Sequence, residues 1–348
     1  METQYYKDIK NKRIAIFGIT PPPLGGVSVH IQRITKKFKE NGNQVYHFKT
    51  EFRGRKYLLA PYLIYVFLFL FWHKIIWRKI DILYYHSTCL PNSITELYFI
   101  SFFKKILNFK TVLVEHNCRH MYKRNKKELS RLTKILKTIE QLVFIGNSNY
   151  QSYAENSINL SNCPIYSIEP AFLPPDISQE QKIISSYPKD INNFIKRHTP
   201  VFLANASNLY LLNQKDIYGL DKSIYILPRL KKSYPKIGLI FAISKITDKN
   251  HFEKIKKEIK INKLENNVFF IIGQHEIWPI FKDIDLFLRP TLSDGDSISI
   301  QEALFFNIPV IASNVCKRPY KVITFDVHSE KDFINKIKSC IKKNHETI

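Results

Sequence analysis

Cysteine is scarce in this sequence and never paired. Cys89, Cys118, Cys163, Cys316 and Cys340 are scattered, odd in number and free of any CxxC spacing. That argues against a disulfide framework and a cysteine zinc site, and fits a reducing cytoplasm. Acidic residues are also short: thirty Asp and Glu stand against fifty-three Lys and Arg, a formal charge of +23. So basic a chain implies an anionic partner, whether nucleic acid, an anionic membrane surface or phosphorylated substrates. The most membrane-like segment, Tyr57–Trp72, runs sixteen residues without a charge and contains Pro61. It falls short of the roughly 20 apolar residues of a spanning helix. Basic residues flank it on both sides, from Arg53 to Lys56 and from Lys74 to Lys79. It reads either as a buried core helix or as an apolar helix resting in one leaflet, with its flanks at headgroup level. The polar start, METQYYKDIKNKR, gives no expectation of a secretory signal. No GxGxxG fingerprint is present, which disfavours a nicotinamide or flavin dehydrogenase.

What is present describes a folded α/β chain. With 348 residues, 45% hydrophobic and 24% charged, two domains of about 150–170 residues are the natural division. Arg13–Gly18 reads as a buried strand, Thr20–Gly26 as a Pro/Gly loop, and Val27, Ile31, Ile34 and Phe38 as one face of a helix ending near Asn41–Gly42. A strand, glycine loop and helix in that order can place a phosphate at the helix start. Further strand-like runs are Asp81–His86, Thr111–His116 and Gln141–Gly146. Alternation with helical segments argues for a parallel sheet covered on both faces, with ligands at the carboxyl ends of its strands. Two strands end in histidine, His86 and His116, each either a structural hydrogen-bonder or a site group. Between Arg119 and Lys137 lie eight basic residues and one acidic one. They form either a solvated helix face or a surface for anionic headgroups or a polyprenyl-diphosphate acceptor. Pro170, Pro174 and Pro175 cannot continue a helix or an inner strand, so they mark a boundary between domains 1–175 and 176–348. The second domain restarts with strands at Val201–Asn205, Ile237–Ser244, Val268–Gly273, Asp285–Leu288 and Pro309–Ala312.

The richest stretch is Leu288–Asn314, LRPTLSDGDSISIQEALFFNIPVIASN. It reads as a strand, a Ser/Asp/Gly loop, a helix from about Ser297 to Phe306 and a second strand. Asp294 and Glu302 lie eight positions apart. The loop between them brings backbone amides to a helix N-terminus, where unpaired N–H groups and the helix dipole favour an anion. A phosphate there, between carboxylates able to accept hydrogen bonds from sugar hydroxyls, gives the shape of a nucleotide-sugar site. The plainer alternative makes Asp294 a helix-start charge and Glu302 a solvated helix residue.

This stretch resembles the E-x7-E region of retaining GT-B glycosyltransferases of group 1, family 4, written E-G-F-G-x-x-x-x-E-A-x-x-x-G-x-P-V-I-A-S. Asp294 replaces the first Glu, Gly295 is kept, Asp296 and Ser297 replace Phe-Gly, and Glu302-Ala303 and Pro309–Ser313 match. Pro23 to Val27, with Gly25 and Gly26, resembles the N-terminal glycine loop of the same enzymes. His116 matches a strand-end histidine near donor sugar and acceptor, and His86 a less decisive second one. The resemblance implies a GT-B fold, two Rossmann-like domains facing each other across a cleft, the first binding acceptor and the second a nucleotide sugar. It implies retaining transfer to a lipid-linked or polysaccharide acceptor, with no metal and no other cofactor. Glu302 would hold the ribose hydroxyls, Asp294 the donor-sugar hydroxyls, and His116 the reacting sugar. Gly25, Gly26, Asn205, Lys215, Arg289, Gly295, Asp296, Ser297 and Ile298 would meet the donor, chiefly its diphosphate. Gln274 to Glu276 would meet the base, with Trp278 in the core. The chain departs from the family where a G-R and a K-G pair usually hold the diphosphate. Asn205–Asn208 and Asp216–Asp221 stand there, with only Gly219 kept, so Lys215 and Arg289 are the nearest substitute cations. The alternatives are a GT-B nucleotide-sugar epimerase and a basic nucleic-acid-binding protein. No recognised nucleic-acid module is visible, so nucleic acid is not an expected partner. The expected location is cytoplasmic and peripheral, at the inner face of the membrane through Tyr57–Trp72 and Arg119–Lys137.

Overall fold

In the computed structural model, the structure describes residues 5–49, 64, 65, 67, 68, 71, 72, 80–87, 93–118, 121, 124–158, 160–162, 165–294 and 296–346. The chain divides into two compact units, Met1–Pro21 with Val27–Leu173, and Pro22–Gly26 with Pro174–Ile348. Both are α/β, as the alternation of apolar runs with helical segments requires.

The first unit is built on a six-stranded parallel sheet in the order β2-β1-β3-β4-β5-β6. Its strands are β1 (Arg13–Gly18), β2 (Gln44–Lys49), β3 (Ile82–Ser87), β4 (Lys110–Glu115), β5 (Gln141–Ile145) and β6 (Tyr166–Glu169). Helices α1 (Gly26–Glu40), α2 (Ser93–Leu107), α3 (Lys126–Leu136) and α4 (Asn147–Glu155) connect them. Every residue of β3 is buried, and so are the apolar residues of β1 and β4. That explains their unbroken hydrophobic runs, since a strand covered on both faces has no solvent side. Asn125 caps α3 with a reciprocal bond to Glu128, and Leu132, Ile135 and Leu136 face the core, leaving the basic side outside.

The second unit repeats the plan with the order β11-β10-β7-β12-β13-β14, again all parallel. Two short helices, α5 (Glu180–Ile184) and α6 (Ile191–Arg197), precede β7 (Val201–Ala206). A two-stranded hairpin, β8 (Leu211–Leu212) and β9 (Lys215–Asp216), leads to α7 (Leu220–Tyr225) and α8 (Leu227–Lys231). There follow β10 (Gly238–Ile243), α9 (Lys249–Ile261), β11 (Val268–Ile272), β12 (Leu286–Arg289), α10 (Ile298–Phe305), β13 (Val310–Ser313), β14 (Ile323–Phe325) and α11 (Glu330–Glu346). Trp278 lies in this unit's core, stacked on Phe306 at 5.9 Å, where it was expected.

Most of Tyr57–Trp72 lies outside the described residues. Within it, Ile64, Tyr65, Leu68 and Trp72 are exposed, while Phe67 packs against the core. Arg119, His120, Tyr122 and Lys123 also lie outside. Among the described residues no helix is long and apolar enough to cross a membrane.

Candidate functional site

The chemistry-bearing residues gather into two groups, one at the strand ends of each sheet. In the second unit, Leu288 pairs with Ala204, which sets the next residues, Arg289 and Asn205, side by side at the carboxyl edge. Arg289 donates from Nη1 to the Asn205 carbonyl (3.1 Å) and to its Oδ1 (3.0 Å). Its other edge grips Asp294 through two parallel bonds, Nε to Oδ2 and Nη2 to Oδ1, both 3.0 Å. Arg318 adds a third bond to Asp294 Oδ2 at 2.8 Å and anchors itself on the Ser313 carbonyl at 3.0 Å. Asn205 in turn donates to Ser299 Oγ (3.0 Å) in the first turn of α10. The face of the Arg289 guanidinium lies 5.4 Å from the Tyr218 ring centre, and the Tyr218 hydroxyl bonds Ser207 Oγ at 2.6 Å.

Charge explains this geometry. Burial alone would raise the Asp294 carboxyl, but Arg289 and Arg318 outweigh it and hold the group at about 2. Two guanidiniums on one carboxylate leave the cluster with one net positive charge, seated next to the α10 N-terminus. Arg289 and Asp294 were expected to address different parts of a ligand, diphosphate and sugar hydroxyls. The structure adds that, five residues apart in a dry site, they are also partners of each other. Ser297 caps α10, its hydroxyl accepting from Ile300 N at 3.5 Å, and Asp296 accepts from Gln301 at 3.1 Å. Ile298 is buried, and so is the Glu302 side chain, which is therefore no solvated helix residue. Gly295 lies outside the described residues.

The positions where a K-G pair was missing are filled by something chemically opposite. The Asp216 carboxylate accepts from the amides of Tyr218 (2.9 Å), Gly219 (3.2 Å), Leu220 (3.1 Å) and Asp221 (3.4 Å), and from His251 Nε2 (3.1 Å). The start of α7 is thus saturated by the protein's own acid and offers no amides to a phosphate. Lys215 stands exposed on the β8–β9 hairpin and is not a member of the arginine cluster. Gln274 donates to the Ser244 carbonyl at 2.7 Å, and the Glu276 carbonyl accepts from Tyr187 at 2.6 Å. Gly26 opens α1, and a Cβ added at Gly25 would meet nothing within 4 Å. The protein's own packing therefore does not demand glycine at residue 25.

In the first unit three histidines meet. His86 Nδ1 and His116 Nε2 share a hydrogen bond of 2.8 Å, with the rings stacked at 5.1 Å. His30, on α1, sets its ring edge-to-face on His116 at 5.0 Å. Gly18, ending β1, allows this closeness, since a Cβ there would sit 3.1 Å from His86 Cβ and 2.5 Å from Ile31 Cδ1. Burial, then the neighbouring imidazoles, push His86 and His116 well below the usual 6.5. Both rings are neutral at physiological pH.

Sequence reasoning did not find Arg318, Tyr218, Asp216 or His30. His30 had a signal, being three residues after Val27 and four before Ile34 on the helix face already marked as buried. Arg318 had none, because its contacts are made across the sheet edge.

Comparison with known proteins fits this architecture. Residues 209–346 match the family model described as glycosyl transferases group 1. The lipopolysaccharide glucosyltransferase WaaG of Escherichia coli (strain K12) is 25% identical over 156 residues, 43% of this chain and 40% of that protein. The chain thus spans less than half the length of that curated relative. Among solved structures, Anabaena Alr3699/HepE in complex with UDP superposes with a TM-score of 0.66 at 14% identity, covering 95% of this chain and 90% of that one. A glycosyltransferase from Rickettsia africae ESF-5 gives 0.68 at 14% identity, with 95% and 89% covered. Sucrose-phosphate synthase from Thermosynechococcus elongatus gives 0.65 at 12%, with 95% and 90% covered. The chain has the two parallel-sheet α/β units of a GT-B fold, and its residues 209–346 are similar to the group 1 glycosyl transferases.

Proposed function

We propose that the protein is a glycosyltransferase that moves a sugar from a nucleotide-diphosphate sugar to a lipid-linked or polysaccharide acceptor, with retention. The observation that carries this reading is the buried, net-positive Arg289–Asp294–Arg318 cluster beside the start of α10, inside the segment that matches the group 1 family. A diphosphate leaving group needs positive charge placed where negative charge develops, and preorganised groups serve best. Arg289 and the first amides of α10 provide it. Glu302 holds the ribose hydroxyls and His116 orients the reacting sugar. The similar structures of Anabaena Alr3699/HepE in complex with UDP and with UDP-glucose support a nucleotide sugar as donor. No side chain is placed as a covalent nucleophile in this reading, so retention follows a front-face course in which the leaving phosphate assists acceptor deprotonation.

Transfer is metal-independent in this reading. Asp294-Gly295-Asp296 is formally D-x-D, but two guanidiniums already hold Asp294 and would repel a cation. The second unit binds the donor and the first the acceptor, working at the inner membrane face from the cytoplasm. Support for a membrane surface comes from Tyr98, Phe102 and Ile106, an exposed apolar stripe on α2 at four-residue spacing, and from α3, which packs on α2 and presents Lys126, Lys127, Arg131 and Lys134 to solvent. Calorimetry with UDP in EDTA tests the donor assignment. Binding to the wild type and its loss in Glu302→Ala are expected. Wild-type affinity in the variant removes the ribose role, and a requirement for added Mg²⁺ removes metal independence.

A further inference from the structure

The histidine group of the first unit fixes more than position. His30 is buried, and its Nδ1 lies 2.8 Å from the Ala171 carbonyl, which can only accept. Nδ1 therefore carries the proton. Nε2 is occupied in turn by the Tyr5 hydroxyl at 3.1 Å. Both His30 nitrogens are thus engaged elsewhere, and His30 does not compete for the His116 nitrogens.

Between His86 and His116 one shared proton has two possible owners. If His116 Nε2 owned it, His86 Nδ1 would be the acceptor and His86 Nε2 would carry the remaining hydrogen. That nitrogen is buried and has no partner among the described residues, so a dry N–H would be stranded. Stranded buried donors are among the rarest defects in folded proteins, because the lost hydration of the N–H is not replaced. If His86 Nδ1 owns the proton, Nε2 of His86 keeps only a lone pair, the milder of the two defects. An imidazolium at His86 would strand a charged N–H in the same buried place. The proton therefore belongs to His86 Nδ1, and His116 Nε2 accepts. The other nitrogen of His116, Nδ1, must then carry a hydrogen, because a neutral imidazole has one. No hydrogen bond among the described residues engages it, and His116 is only half-buried.

We propose that His86 is a positioning residue that locks His116 in the Nδ1–H tautomer, so that His116 offers a neutral hydrogen-bond donor and no basic nitrogen to its substrate. A group of this kind can steady a sugar hydroxyl or a phosphoryl oxygen, and it cannot take a proton from the acceptor. The consequence for sugar transfer rests on the function proposed above, whereas the tautomer itself does not.

Nitrogen-15 NMR of the full-length, histidine-labelled protein reads the tautomer directly. The His116 signals are assigned by their disappearance in His116→Gln. A protonated Nδ1 and an unprotonated Nε2 are expected for His116, and the reverse pattern overturns the proposal. Asparagine places an amide N–H near the position of imidazole Nδ1, so His86→Asn is expected to keep the His116 pattern. His86→Phe, which has no donor, is expected to release it to Nε2–H, and an unchanged pattern in that variant would overturn the role of His86. In transfer assays His86→Phe should lower kcat on the order of a hundredfold, as loss of one aimed donor does. KM for the donor should hold, and His86→Asn should recover most of the rate. A wild type that transfers no sugar defeats the functional reading while the NMR pattern still decides the tautomer. A wild type that transfers sugar but shows His116 as Nε2–H defeats this proposal alone.

Discussion

Arg318 is the residue on which the second unit's site most depends. It is buried, bonded to Asp294 and to the Ser313 carbonyl, and it shares Asp294 with Arg289. Replacing it with Met removes one of two counter-ions from a buried carboxylate that Arg289 still neutralises, a change expected to cost roughly 1–2 kcal/mol. Asp294 sits at about 2 in the folded chain against an ordinary 3.8. A depressed carboxyl stabilises the fold above the ordinary value and loses that contribution as pH falls through the folded one, here between 3.8 and about 2. The contribution at neutral pH is about 2 kcal/mol. Arg318→Met is expected to shrink it, so urea unfolding followed against pH should show the variant less stable at pH 7 and flatter below pH 4 than the wild type. Equal curves would mean that Arg289 alone sets the carboxyl. None of this was legible in the chain. Asp294 and Arg289 stood out by motif and proximity, but which acid meets which base is decided by the sheet register that brings Asn205, Arg289 and the end of β13 together.

At the scale of elements the sequence was far more transparent. Strands buried on both faces leave continuous apolar runs, so β1, β3, β4, β7, β10 and β13 were visible as such, and Ser297 stands at the start of α10 as a cap residue should. The hairpin β8–β9 was not visible. It turns through Asn213 and Gln214 at positive φ, and only the first of these is a residue that advertises such a turn. Gly219 was recognisable as a kept residue, but its reason is structural. Its φ is +72°, and an added Cβ would stand 2.3 Å from the Pro290 carbonyl oxygen. Gly219→Ala is expected to cost on the order of 3 kcal/mol in chemical unfolding, from left-handed strain and overpacking together. Since Pro290 follows Arg289, nucleotide affinity should fall with it. A variant as stable as the wild type would show that the Pro290 loop yields freely.

Over the whole molecule, the plan of two parallel-sheet α/β units was legible from the βα rhythm. The exposed stripe of α2 was not, because Tyr98, Phe102 and Ile106 are residues that a sequence pattern assigns to a core. If that stripe and the basic face of α3 meet a membrane, the protein should sediment with anionic vesicles at low salt and release as salt rises. Phe102→Ser should weaken sedimentation without changing UDP affinity, and undiminished sedimentation of that variant would clear α2 of the role. The formal charge of +23 is borne largely by surface side chains and is screened within about 8 Å at physiological ionic strength. The single surplus charge beneath Asp294 is different in kind. Counter-ions do not reach it, because Arg289, Arg318 and Asp294 are all withdrawn from water. If the protein meets a bilayer and a nucleotide as proposed, salt should strip it from the bilayer long before it loosens the nucleotide, so membrane residence would be the reversible attachment and donor binding the persistent one.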